Sequence, residues 1–188
     1  MTDTNALYAT ALEGCGRRVA AVGPNDWHQP TPCADWDVRA LVAHLVDENR
    51  WVPPRLAGRT IADVGDELAG DPLGDDPGAA WETSAAEARE AVARPGALDT
   101  TAHLSFGDVP GGEYVMQLTA DLLVHGWDLA RATGGDEQLD AAVVEAVASW
   151  FDTMEAAYRA AGVIGPAVAL PDAASAQDRL LARFGRKP

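Results

Sequence analysis

Apolar residues recur at three- and four-residue steps wherever this chain lacks glycine and proline, and nowhere do they alternate with the period of a strand for more than a few positions. That pattern predicts an all-α fold, cut into helices by its own punctuation. A first helix is expected over residues 4–22, with Tyr8, Leu12, Cys15, Val19 and Val22 on one face and Gly23-Pro24 as its stop. A proline-rich loop, 25–36, follows. Asp35 or Asp37 then caps a second helix, whose stripe is Val38, Leu41, Val42 and Leu45 and which ends at Pro53-Pro54. Further helices are expected over 79–94, from Gly112 or Glu113 to Thr133 with Gly134-Gly135 as the exit, and over 140–161, with a short one at 175–184. Residues 97–112 read as irregular. Residues 60–80 carry Asp63, Asp66, Glu67, Asp71, Asp75 and Asp76 with no basic residue and read as a solvated loop, without the spacing or terminal Glu of an EF-hand. No internal repeat is present, so residues 1–188 are expected to form a single domain: an up-and-down four-helix bundle built from three long helices and the Asp37 helix, with an extra short C-terminal helix.

Charge narrows the function. The 188 residues hold 14 Lys+Arg against 29 Asp+Glu, a net charge of −15, and the one lysine is Lys187. With arginines scattered singly, the chain has neither the clustered cations that bind nucleic acid nor a polybasic run for an anionic membrane surface. No apolar run approaches the roughly 18 to 20 residues of a membrane span, and the opening MTDTNALYATALEG has acids where a leader has cations, so a cytoplasmic location is expected. Two cysteines, Cys15 and Cys33, make no disulfide framework and lack CxxC spacing; both are expected to pack.

The four histidines are His28, His44, His103 and His125. Asp121 and His125 stand one turn apart on the flank of the fourth helix, where a carboxylate and an imidazole converge on one ion or, equally, on each other. His44 sits at the border of the second helix's stripe, with Glu48 one turn on. If the two helices are neighbours, His44, Asp121 and His125 form a two-histidine, one-carboxylate set with an open position, which suits Zn2+ and also Fe2+ or Ni2+. His28 reads as an exposed loop residue and His103 as part of the irregular stretch. Trp36, Trp51 and Trp127 are expected in the core, and Asp128 is placed to take a hydrogen bond from a ligand or an arginine.

The run TPCADWDVRALVAHL ending in His44-Leu45, the later Asp121-Leu-Leu-Val-His125-Gly-Trp-Asp-Leu-Ala-Arg-Ala-Thr-Gly134, and the ending DRLLARFGR resemble the mycothiol-dependent maleylpyruvate isomerase N-terminal family, within the DinB/YfiT-like metalloprotein superfamily. The resemblance implies an up-and-down four-helix bundle with a divalent metal, usually zinc, on His44, Asp121 and His125. It implies mycothiol as cosubstrate, its sulfur bound and activated by the metal and presented to a small electrophile, in a thiol S-transferase or an isomerase; Glu48 is the candidate to move a proton. The chain departs from the characterised isomerases in carrying Asp121 where they carry glutamate, and in ending soon after the bundle where they continue into a second domain, so maleylpyruvate itself is not the expected substrate. An anionic substrate would require a local arginine such as Arg39 or Arg131. The alternatives are a non-catalytic metal-binding sensor or partner domain, with Glu48 or His103 as fourth ligand, and a metal-free scaffold with a possible homodimer face.

Overall fold

The computed structural model describes residues 3–188. Its helices are α1 (Thr4–Ala20), α2 (Val38–Leu56), α3 (Ile61–Val64), α4 (Pro77–Ala93), α5 (Gly111–Thr133), α6 (Ala141–Ala160) and α7 (Ala176–Arg183), and a two-stranded sheet joins β1 (Thr101–Leu104) to β2 (Gly107–Pro110). Most helix starts are fixed by short acids or hydroxyls that accept from otherwise unbonded backbone N–H groups. Asp37 accepts from Ala40 at 2.8 Å, Asp76 from Ala79 at 3.0 Å with Pro77 at the first turn, and Asp140 from both Ala142 and Val143. Ser175 and Asp178 cap α7 reciprocally. At the other end of α5, Gly134 takes φ 67°, the left-handed exit the sequence reading assigns to it.

Three expectations are corrected. The proline pair does not stop α2, which runs through Pro53 and Pro54 to Leu56; so near the C-terminal end the missing N–H groups interrupt few bonds, and Ala57 N–H closes the last turn on Pro53 and Pro54 carbonyls. Residues 97–112 are ordered rather than irregular. A short 3₁₀ turn at Ala97–Asp99 leads into the antiparallel hairpin, whose register pairs Ala102 with Val109 and His103 with Asp108. Four-residue strands are too short to show a period, and the fold is mostly helical, in keeping with the all-α expectation, with one small two-stranded sheet. Finally, the acidic stretch includes α3, closed by a Thr60–Asp63 capping box, and is pinned to the protein by buried Val64 and Leu73.

The largest helix pairings are α1 with α5 and α2 with α4; α1 also meets α4, and α2 meets α5. The principal partner of α2 is α4. The α6 helix packs outside this group against α5 and α1, and α7 packs on α6. There Phe184 stacks on Phe151 with ring centroids 4.1 Å apart, which fixes the segment following α7 against α6.

The hairpin joins α5 without any intervening residue, and Gly111 is what permits it: a Cβ there would lie 2.3 Å from the Ala97 carbonyl oxygen. Backbone on that side cannot swing away as a side chain would. Gly111→Ala is therefore expected to lower the unfolding free energy by about 1–3 kcal/mol in a denaturant titration, as overpacking does. Gly112→Ala, whose Cβ would meet nothing closer than 3.6 Å, serves as the control with little or no loss.

Candidate metal centre

The α5 helix carries Asp121, His125 and Asp128 on successive turns and is buried on nearly every side from Tyr114 to Ala130. Polar side chains in that setting need partners. His44, from α2, faces Asp121 with Nε2 3.2 Å from Oδ2, and His125 approaches the other oxygen of the same carboxylate, Nε2 to Oδ1, at 3.3 Å. The two imidazoles stand edge to face at 5.2 Å, and one donor atom from each of the three residues lies within 4.8 Å of the others. These spacings match donors around a tetrahedral ion with bonds of roughly 2.0–2.2 Å, which are about 3.4 Å apart. Two imidazole nitrogens and one carboxylate are a borderline set suited to zinc, iron or nickel.

Charge agrees with geometry. Burial opposes a charged His125, yet Asp121 at one ring nitrogen and Asp128 at the other push its pKa well above the ordinary imidazole value. Burial likewise opposes charge on Asp121, and the two histidines overcome it, holding the carboxyl below its usual range. The Asp121 carboxylate is thus balanced by protons held on the two imidazoles, which a metal ion would displace on binding.

The second nitrogen of His125 is engaged from behind. Nδ1 lies 2.9 Å from Asp128 Oδ2, and Asp128, fully buried, is itself gripped by Arg186, Nη2 to Oδ2 at 2.6 Å and Nε to Oδ1 at 3.1 Å. That carboxylate fixes the ring so that Nε2 is the free donor. Cys33, expected to pack, sits instead at this junction: its Sγ is 2.9 Å from Arg186 Nη2, 3.5 Å from Asp128 Oδ2 and 3.8 Å from His125 Nδ1. Cys33, His125 and Asp128 form a second group of converging donors. The Arg186 guanidinium already supplies the positive charge there, so the first set is the candidate metal centre. Nothing local in sequence signals these contacts, since Cys33 lies 92 residues from His125 and 153 from Arg186. Cys15, by contrast, is buried in the core, which pushes its thiol up to about 12.

The loop before α2 is built to hold its part of the site. Thr31 Oγ1 donates to the Trp36 carbonyl at 2.8 Å and accepts from Cys33 N–H at 3.1 Å, while Val38 and Arg39 N–H groups return to Gln29 and Trp27. This sets the Trp36 ring 4.8 Å from His44 and 5.7 Å from His125. Beyond it opens a cleft of about 360 Å³ with Asp121 and His125 in its wall, closed on the far side by Trp150 and Tyr158 of α6 and by Phe184.

The other expected residues lie elsewhere. His28 is exposed and pairs with Asp37 at 3.2 Å. His103 joins its cross-strand neighbour Asp108 at 2.7 Å and belongs to neither donor group. Glu48 does not line the cleft; burial and the charge of Asp121 raise its carboxyl. Trp127 is in the core, and Trp51 lies under the Arg55 guanidinium, away from the cleft wall.

Comparison with known proteins bears on the same residues. The family model described as mycothiol maleylpyruvate isomerase N-terminal domain matches residues 8–130, a span that contains His44, Asp121 and His125. The chain belongs to this family. Among curated proteins similar to this mycothiol maleylpyruvate isomerase N-terminal domain chain are two uncharacterised proteins from two strains of Mycobacterium tuberculosis, each 34% identical over 138 residues, covering 73% of this chain and 71% of theirs. No solved structure matches significantly. Among the described residues no helix is long and apolar enough to cross a membrane.

The Asp128–Arg186 pair is the energetic weak point of the site. Arg186→Ala would leave a fully buried carboxylate without its cation and is expected to cost about 3–5 kcal/mol in chemical denaturation. Arg94→Ala, which removes the exposed pair with Glu90, is expected to cost less than about 0.5 kcal/mol.

Proposed function

We propose that this protein binds a divalent metal, zinc in the first instance, through His44, Asp121 and His125 and uses it in thiol chemistry, joining a low-molecular-weight thiol such as mycothiol to a small electrophile or using that thiol to isomerise one. The observation that carries the reading is the convergence of three donors, with no fourth ligand among the described residues, beside a cleft large enough for a small substrate. Membership of the mycothiol maleylpyruvate isomerase N-terminal domain family supports mycothiol as the thiol. The four helices α1, α2, α4 and α5 would then be the up-and-down bundle of the superfamily, with α6 and α7 added to wall the cleft.

When bound, the ion supplies a Lewis-acid position that favours a sulfur ligand as thiolate. The rest is the chain's own work. Asp128, held by Arg186, accepts the Nδ1 proton of His125 and so presents Nε2 toward the ion site with a fixed ring plane. Asp121 offers one oxygen toward each imidazole and shares its charge between them. Trp36 covers both rings and limits water at the donors. Glu48, one turn beyond His44, would exchange a proton only from behind the site, because it does not reach the cleft wall. His103 and Glu48 are absent from the donor set, which favours the enzymatic reading over a closed structural site.

Elemental analysis of protein purified without chelator or histidine tag is expected to give close to one zinc, iron or nickel per chain, lost in His44→Ala and in His125→Ala. Asp128→Asn is expected to retain the site with about 10–100-fold weaker metal affinity. Turnover of an electrophilic dye with mycothiol should depend on the metal and stop with chelator; metal bound without any thiol-dependent rate would leave the non-catalytic reading, and no metal would remove both.

A further inference from the structure

We propose that the electrophile accepted by the cleft is an uncharged, apolar molecule of about the size of one or two aromatic rings, not a carboxylate; this assigns a substrate class to the reading above and rests on it. The cleft is short of available positive charge. Among the residues that line it the cationic groups are the His125 imidazole and Arg186, and both are already engaged: His125 lies between Asp121 at 3.3 Å and Asp128 at 2.9 Å, and each nitrogen of Arg186 has a partner. Nε and Nη2 hold the two oxygens of Asp128, Nη2 also lies 2.9 Å from the Cys33 sulfur, and Nη1 donates to the Phe184 carbonyl at 3.0 Å. A substrate carboxylate would have to break a buried ion pair to reach it. The arginines that the sequence offers for an anion are spent elsewhere: Arg39 pairs with Asp71 at 2.9 Å and Arg131 with Glu137 at 2.8 Å, and neither lines the cleft. The wall does present Asp35 and Asp121, whose charges repel an anion. A divalent ion on Asp121 and the two imidazoles brings a net positive charge, but in this reading the arriving thiolate neutralises part of it.

What the cleft offers instead is a fixed aromatic wall. Trp150 is held by its indole N–H, 3.0 Å from each Glu113 oxygen, and packs edge to face with Tyr158 at 5.9 Å. Phe184 is stacked behind on Phe151, and Val163 stands 64% exposed at the rim, the one large aliphatic among the described residues left so open. Rigid rings with few rotatable bonds lose little entropy when a flat apolar ligand enters, and burying such a ligand against them is favourable without any ion pair.

The test compares 1-naphthol with 1-naphthoate, which differ by charge at similar size, binding each by isothermal titration to metal-stripped protein and to zinc-loaded protein saturated with mycothiol, with zinc affinity measured separately. In both forms 1-naphthol is expected to bind at least tenfold more tightly, and to shift the indole N–H NMR signals of Trp36 and Trp150. Asp35→Lys, an exposed change on the cleft wall, is expected to narrow that gap by strengthening 1-naphthoate. Equal or tighter binding of 1-naphthoate, no binding of 1-naphthol, or binding that leaves both indole signals unmoved overturns the proposal. Because zinc affinity is a separate readout, failure of metal binding with naphthol selectivity intact would refute the metal–thiol reading alone, and the converse would refute only the substrate class.

Discussion

A helix buried almost around its circumference cannot carry polar side chains without supplying them partners, and α5 carries three on one side. Everything distinctive about the site follows from meeting that demand. Asp121 is answered by an imidazole from α2 and by His125 of its own helix; His125 is answered again by Asp128; and Asp128, with no exposure at all, by a guanidinium from beyond α7. The chain of partners runs from α2 through α5 to the segment after α7, and each member has a fixed orientation because its neighbour needs it. The hydrophobic contacts of α1 with α5 and α2 with α4 set the frame, but the polar relay decides which residues meet in it.

Much of the frame was legible in the sequence. Helical periodicity between glycines and prolines located the long helices to within a few residues, because capping side chains and left-handed glycines act locally. The one-turn spacing of Asp121 and His125 likewise placed both on one face, and the position of His44 at the edge of its stripe made it a partner if α2 and α5 touched, which they do. Where local rules misled, the cause was tertiary. Pro53 and Pro54 forbid continuation only when the lost bonds matter, and near a helix end they do not. The hairpin is too short for periodicity to speak. Cys33 reads as a packing residue and Arg186 only as the end of a family-like run, because their significance lies wholly in long-range contact: sulfur, guanidinium, carboxylate and imidazole come from three separate segments.

The electrostatics of the cleft invert what the composition suggests. A chain with net charge −15 has an acidic surface, but around the site most acids are committed, Asp121 to two histidines, Asp128 to Arg186 and His125, Glu113 to the indole of Trp150, while Asp35 on the exposed wall is not. Binding there is governed less by total charge than by which charges remain uncommitted, and by the aromatic surfaces that the committed ones hold in place.

The separation of the Cys33 and Arg186 contacts along the chain has a consequence for folding order. Cys33 and Arg186 are 153 residues apart, and Asp128 and Arg186 are 58, so closing these contacts carries a large loop entropy that nearby hydrophobic packing must first reduce. The frame of α1, α2, α4 and α5 is composed of residues before 134 and can assemble while the segment carrying α7 is still free. The imidazole of His125 therefore acquires its final hydrogen-bonding partner's support late, and transient release of the α7 segment would disorganise the site while the core stays folded. In hydrogen-exchange terms, the segment that brings Arg186 to Asp128 would then open separately from the core that carries the donors.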